Sequence, residues 1–312
     1  MQINDIIFSE ILKRGYSVEK NVRVWNIADS KLWYLTSKQA QGFLNLEKSK
    51  EYQKEVIQKE INLIENNLKE ILTEIGKRPL NIIDLGCGDG KKAVLFINYL
   101  KDKFELRYCP IDISGYMVKK AIDRIKKMNA GEVIEFKWNI SDFENLENIA
   151  NILRIDKYKK NLFLLLGNTL GNFEINDLMY KIRRSMHEDD FLLIGNGLDN
   201  KKRNEIIKSY DNKVVRDWLI NIPTQIGIDK KNLKFEVCFN HSRVELYFVL
   251  KRDLRCYFQN KTIHFKKGDK ILVAISYKYN EQDFKRYMKT YFDYVRVFID
   301  EDKSYALVLC KK

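Results

Sequence analysis

Three stretches of the chain hold residues whose types and spacing suit them to chemistry. The first is Asn81-Ile-Ile-Asp-Leu-Gly-Cys-Gly-Asp-Gly90, a short apolar run that carries Asp84 and ends in Gly86, Gly88 and Gly90. Glycine at every second position lets the backbone turn sharply and come close to a ligand, because no Cβ intervenes. The apolar spacing of residues 91–100 predicts a helix leaving that turn, and free N–H groups at a helix start favour polar or anionic ligand groups. About twenty residues on, Asp112 ends the apolar run that starts at Tyr108, where a carboxylate can accept hydrogen bonds from ribose hydroxyls. A glycine turn by itself is only a tight strand-to-helix connection. The turn and the distant acid together, in an alternating pattern, point to nucleoside binding.

The second stretch, Asn139-Ile-Ser-Asp-Phe143, places an acid, Asp142, beside an aromatic ring, Phe143. The third, Leu164-Leu-Leu-Gly-Asn-Thr-Leu-Gly-Asn-Phe173, supplies Gly167 and a carboxamide, Asn172. Asn172 reads either as the cap of a following helix or as a hydrogen-bonding group for a ligand. No histidine falls in these runs as a base, and no Cys or His spacing fits a zinc site.

The spacing D-x-G-x-G-x-G resembles motif I of the class I S-adenosylmethionine-dependent methyltransferases. In those enzymes an acid after the third strand meets the adenine amino group and an apolar neighbour covers the ring, the places of Asp142 and Phe143. The N/D-P-P-Y/F sequence of nucleic-acid and protein-glutamine amino-methyltransferases is absent. Gly167-Asn-Thr-Leu-Gly-Asn-Phe173 instead resembles the G-S/T-x-x-G-N-F segment of the histidine-specific methyltransferase family, which makes the trimethylated betaine of histidine in ergothioneine synthesis. Tyr108-Cys-Pro-Ile-Asp-Ile-Ser114, Ile194-Gly-Asn-Gly-Leu-Asp199, Ser209-Tyr-Asp211, Arg243-Val-Glu-Leu-Tyr247, Phe265-Lys-Lys-Gly-Asp269 and Ile275-Ser-Tyr-Lys-Tyr279 are similar to further segments of that family, in the same order. The resemblance spans residues 80–312.

That resemblance implies S-adenosyl-L-methionine as cofactor, held by Asp84, Gly86, Gly88, Gly90, Asp112, Asp142, Phe143 and Gly167. It implies a small-molecule amine as substrate, with Asn172 on the α-amine, Tyr210 toward the carboxylate and Ser276 on the side chain. Two departures bear on specificity. The family's glutamate two residues before that serine, which meets imidazole, is Ala274 here, and the methionine of R-x-E-M-H is Leu246. With Ile275 beside them, a roomier and more apolar pocket is expected, in which a water or a nearby acid such as Glu245 is able to restore the missing acceptor. The family's tyrosine-rich N-terminal segment has no clean counterpart; Trp33, Tyr34 and Tyr52 are the candidates.

The elements that must position these residues follow from periodicity. Val56, Ile57, Ile61, Ile64, Leu68, Ile71 and Ile75 recur at helical spacing and deliver the chain into the first strand. Strands at 82–85, 106–112, 133–138, 162–166 and 191–195 alternate with helices at 90–100, 115–128, 144–153 and 175–186, which predicts a parallel, doubly wound α/β sheet. Residues 294–299 and 305–310 read as a terminal antiparallel hairpin, as in class I methyltransferase sheets. Residues 201–221 look helical and four strand-like runs follow between 234 and 277, while residues 1–45 read as small helices. We expect a nucleoside-binding core of 62–200 and 277–312, and a smaller α+β substrate lobe of 1–61 and 201–276.

Composition agrees with a folded globular chain: 312 residues, 45% apolar, with 17 Tyr and 17 Phe. No apolar run reaches membrane-spanning length and the start lacks a signal-peptide pattern, so a cytoplasmic protein with buried free thiols is expected. The net charge of +13 raises nucleic acid as a partner, but the lysines lie scattered among glutamates. An RNA or protein methyltransferase is therefore the alternative, and a non-catalytic S-adenosylmethionine-binding protein a third reading.

Overall fold

The computed structural model of the protein describes residues 4–312. The chain divides into two compact units, Lys50–Asn200 with Lys278–Lys312, and Met1–Ser49 with Lys201–Tyr277. The helix that begins at Lys50 thus stands wholly in the first of these, residues 50–61 included. No helix of the described residues is long and apolar enough to cross a membrane.

The Lys50–Asn200/Lys278–Lys312 unit holds seven strands: β1 (Leu80–Leu85), β2 (Leu106–Ile111), β3 (Glu132–Val133), β4 (Lys160–Leu165), β5 (Phe191–Gly197), β6 (Tyr294–Ile299) and β7 (Tyr305–Lys311). Their order is β6-β7-β5-β4-β1-β2-β3, parallel through β1–β5, with β7 antiparallel to both β5 and β6. This is the class I methyltransferase sheet with its terminal hairpin, as the sequence predicts. All residues of β1 and β2 are buried. Such strands are apolar without alternation because helices cover both sheet faces. The helices Lys91–Leu100, Gly115–Lys126, Leu146–Leu153 and Ile175–Ser185 follow β1 to β4.

The third strand departs from expectation. It stops at Val133, and Lys137–Asn139 is a 3-10 turn. Pro110 in β2 has no N–H to give a neighbouring strand. The Asn139 carboxamide instead donates to the Pro110 carbonyl at 2.8 Å and accepts from the Phe136 N–H at 2.6 Å, so a side chain replaces the ladder.

The helix before β1 runs from Lys50 to Ile75 and contains one π turn, Gln53–Ile57. Gly76, at φ +76°, ends it by donating to the Leu72 carbonyl.

The Met1–Ser49/Lys201–Tyr277 unit is built on a five-stranded sheet, in the order Ser17–Glu19, Val22–Asn26, Lys270–Tyr277, Arg243–Leu250 and Leu233–Asn240. A separate two-stranded hairpin pairs Leu254–Phe258 with Lys261–Phe265. The N-terminal segment is therefore not helical throughout: helices Asp5–Arg14 and Ser37–Glu47 flank a hairpin whose second strand joins Lys270–Tyr277 in parallel. Ser17–Glu19 and Val22–Asn26 are short, and their turn at Lys20 and Asn21 carries no glycine, which removes the usual hairpin signal.

Candidate functional site

The glycine turn forms as the sequence implies. Gly86, Gly88 and Gly90 all have positive φ (66°, 53° and 77°), and the N–H groups of Gly86 and Cys87 both meet the Ile111 carbonyl at the end of β2. Asp112 braces the turn. Its two carboxylate oxygens accept from the N–H of Gly88 at 3.1 Å and of Ser114 at 2.9 Å. Burial pushes its pKa up to about 6, against the pull of the Ser114, Gly88 and Ile113 N–H groups.

Asp84 lies beneath the turn. It is 4% exposed, and its Oδ2 accepts from the Tyr108 hydroxyl at 2.8 Å. Burial pushes its pKa up to about 7, opposed by the Tyr108 hydroxyl and the Lys92 ammonium and assisted by Asp112 and Glu60. Both acids hold protons in the folded state at pH values where the unfolded chain has lost them, so their contribution to stability falls as pH rises from about 4 to about 7. For Asp84 the loss has an upper bound of about 4 kcal/mol, at about 1.4 per pH unit. Asp84→Asn should therefore gain melting temperature relative to the parent protein as pH rises from 5 to 8. A difference between the two proteins that stays flat across that range would contradict this.

Beyond the short β3 and the Lys137–Asn139 turn, Asp142 accepts from the Glu144 N–H at 3.1 Å, and the Phe143 ring lies 5.4 Å from that of Phe173. After β4, Gly167 opens the run to Asn172. Asn168 sits in the left-handed region (φ 63°), and its Oδ1 accepts from the Gly197 N–H at 2.5 Å. Asn172 ends the 3-10 turn Thr169–Asn172, and its half-buried carboxamide has no hydrogen-bond partner among the described residues. The helix that follows is capped by Glu174, whose carboxylate accepts from the Asp177 N–H at 2.9 Å. Capping does not occupy Asn172.

In the other unit, the Tyr210 hydroxyl and Ser276 Oγ are 2.9 Å apart, so the structure brings these two predicted residues together. Leu246 and Ala274 are direct cross-strand partners, both 3% exposed. Residues facing each other across strands share a sheet face, and neighbours along a strand point to opposite faces. Ile275, opposite Glu245, is therefore on the other face, packed with Val24, Tyr247 and Leu272, and does not join Ala274 and Leu246. Glu245 is also committed: its carboxylate accepts from Arg243 Nε and from the Tyr247 hydroxyl, each at 2.8 Å. It is not the replacement acceptor expected beside Ala274. Trp33 and Tyr34 join an aromatic group with Phe43 and Trp218, Trp33 donating from Nε1 to the Val273 carbonyl at 2.8 Å. Tyr52 stands in the first unit, with its hydroxyl 3.4 Å from the Gly167 carbonyl.

Glu60 and Lys92 are site neighbours that reading the sequence misses. Glu60 is fully buried, and its Oε1 accepts from the Gly167 N–H at 2.8 Å; its Oε2 lies 3.6 Å from Lys92 Nζ. The signal was present: Glu60 falls midway between Val56 and Ile64 on the apolar stripe of its helix, where a charge is out of place.

The family model described as "histidine-specific methyltransferase, SAM-dependent" matches residues 34–312. No curated protein matches the chain. Among solved structures it is similar to an S-adenosylmethionine-dependent methyltransferase from Clostridium acetobutylicum, at 13% identity over 87% of this chain and 98% of that one, with a TM-score of 0.47. It is also similar to the PH0226 protein from Pyrococcus horikoshii, at 15% identity over 89% of this chain and 100% of that one, again with a TM-score of 0.47. At that distance neither says what this chain acts on. The match over residues 34–312 carries the assignment, and the chain belongs to the histidine-specific, S-adenosylmethionine-dependent methyltransferase family.

Proposed function

We propose that the protein methylates the amine of a small amino-acid-like substrate whose side chain is apolar. In this reading the Lys50–Asn200/Lys278–Lys312 unit holds the nucleoside. One observation carries it. Asn172, in the segment that resembles the family's acceptor motif, has a carboxamide with no hydrogen-bond partner among the described residues, while Glu174 caps the helix. Its amide oxygen is then available to accept an N–H from an amine and so fix the direction of the nitrogen lone pair.

The residues around the turn fit the cofactor. A Cβ built at Gly88 would meet nothing within 4 Å, so there is open space against the turn backbone. The Asp112 carboxylate stands beside that space with two acceptor sites beyond those taken by Gly88 and Ser114, enough for a pair of ribose hydroxyls. Asp142 and the Phe143 ring are suited to the adenine edge and face. A Cβ at Gly86 would meet Thr169 and one at Gly90 would meet Ala121, and Asp84 lies buried beneath them, so these three also hold the shape of the turn.

When bound, the cofactor supplies a methyl group already activated by its sulfonium. The chain's part is orientation, and holding an amine at near-attack distance is worth about 7–11 kcal/mol. The amine must be neutral at attack, its proton passing to water or a nearby group. Tyr210 and Ser276, joined through their hydroxyls, support the contact with the remainder of the substrate.

Histidine should not be the best acceptor. A buried imidazole N–H without an acceptor costs about 1–3 kcal/mol. The family's acceptor position is Ala274, its cross-strand partner is Leu246, and Glu245 lies on the opposite face, held by Arg243 and Tyr247. Purified protein with methyl-labelled cofactor, offered the twenty amino acids, common amines and bulk RNA in competition, tests this directly. Label going first to an aromatic or aliphatic amino acid or amine is expected. Histidine as the clear first acceptor would overturn the specificity, and label in RNA would overturn the amine.

The RNA arm is included because of one feature. The Met1–Ser49/Lys201–Tyr277 unit has 24 Lys and Arg against 13 Asp and Glu, a net of +11, whereas the other has 32 against 30, a net of +2. Basic residues are about equally dense in both, so the excess comes from missing acids, not from a lysine-rich composition. That pattern favours a polyanion as second reading.

A further inference from the structure

We propose that Glu60 is a positioning residue of the methyl-transfer site, acting through Gly167; the proposal rests on the reading above. Glu60 Oε1 accepts from the Gly167 N–H at 2.8 Å and from the Tyr305 hydroxyl at 2.7 Å. Its Oε2 is buried with no hydrogen-bond partner among the described residues and lies 3.6 Å from Lys92 Nζ. Taking a carboxylate this far out of water is costly. Two glycines, Gly195 within β5 and Gly167 just past β4, make room for the arrangement. A Cβ at Gly195 would run into Glu60 Oε1, and one at Gly167 into Lys92 Nζ. An apolar side chain of similar size would pack the helix on the sheet without that cost, so packing does not account for a charge here.

The same helix holds the other face of Gly167, for the Tyr52 hydroxyl donates to its carbonyl at 3.4 Å. Tyr52 and Glu60 are eight residues apart. Two turns of α-helix take about 7 residues, so positions eight apart point about 80° away from each other. The π turn Gln53–Ile57 lies between them and takes up one extra residue, which returns the two side chains to one side. The peptide groups on both sides of Gly167 are thereby fixed by one preceding helix. The segment that ends in Asn172 starts from that fixed point, and Asn168 locks its next step onto Gly197. Glu60 thus sets where Gly167 faces the cofactor and where Asn172 faces the acceptor.

The test compares Glu60→Gln, which keeps an acceptor oxygen for Gly167, with Glu60→Leu, which matches its bulk but has none, and with Tyr52→Phe. Affinity for S-adenosylhomocysteine is measured by calorimetry, fold by melting, and Gly167 by amide exchange. Glu60→Gln should stay within about threefold of the parent affinity, while Glu60→Leu should lose about tenfold or more and expose the Gly167 amide to exchange. Tyr52→Phe should lose about threefold or more with its fold intact. A folded Glu60→Leu with parental affinity and a protected Gly167 amide would overturn the proposal, as would Gln and Leu variants equally impaired. If Glu60→Leu does not fold, Tyr52→Phe decides, and undiminished affinity there overturns it. A parent protein that binds no S-adenosylhomocysteine defeats the nucleoside reading instead, and amide exchange at Gly167 alone then judges the positioning role.

Discussion

Replacing Asn172 by Ala should lower turnover by about 100-fold or more, with affinity for S-adenosylhomocysteine within a few-fold of the parent protein. The size follows from the sensitivity of oriented reactions, where a displacement of about 1 Å costs about 100-fold. The split between turnover and cofactor affinity follows from the structure. The Asn172 carboxamide makes no hydrogen bond among the described residues, and Glu174 rather than Asn172 caps the helix from Ile175, so the substitution removes little that holds the fold. Single-turnover kinetics on the best acceptor, beside calorimetry and a melting curve, give the three quantities needed. Normal turnover would show that the amine is held by something else. A protein that unfolds would show that the residue is structural after all.

The second large effect concerns the other end of the site. Asp112→Ala should weaken S-adenosylhomocysteine binding by about 100-fold or more, because two hydrogen bonds to a charged acceptor, each worth about 1.5–3 kcal/mol, would be lost. The same substitution strips the Gly88 and Ser114 N–H groups of their acceptor, so the turn itself loosens. Asp112→Asn separates the two contributions: it keeps an oxygen for one N–H and loses the charge. Its affinity should fall between the parent and the Ala variant in calorimetry. Undiminished binding by Asp112→Ala would remove the ribose assignment.

Much of the core unit was readable in the sequence because its signals are local. Buried parallel strands are mostly apolar runs, and the glycine turn and Asp112 sit at spacings fixed by one strand-turn-helix unit. What was not readable depended on tertiary context. Apolar periodicity carries β3 on to residue 138, whereas Pro110 and Asn139 replace its ladder through contacts that no periodicity encodes. The strand Val22–Asn26 reads as part of a helical segment because its hairpin with Ser17–Glu19 is short and lacks a glycine turn, and its other partner, Lys270–Leu272, is far along the chain. Within the candidate site, Glu60 broke the apolar pattern of its helix visibly, yet the reason lay 107 residues away at Gly167. Ile275 was grouped with Ala274 by proximity in sequence, where the two-residue period of a strand separates them.

The split of each unit into two chain segments has a consequence for the order in which the protein is made. When synthesis has passed residue 200, β1 to β5 exist, but β7, which pairs along the whole of β5 from Gly197 to Phe191, lies more than 100 residues ahead. Until it arrives, β5 is an open edge of unpaired N–H and C=O groups, the kind of edge on which chains aggregate. The buried carboxylate of Glu60 also waits for the Tyr305 hydroxyl. Contacts of that separation form late and slowly. The nascent chain therefore carries a nearly complete sheet that it cannot close until residues 305–311 have been made.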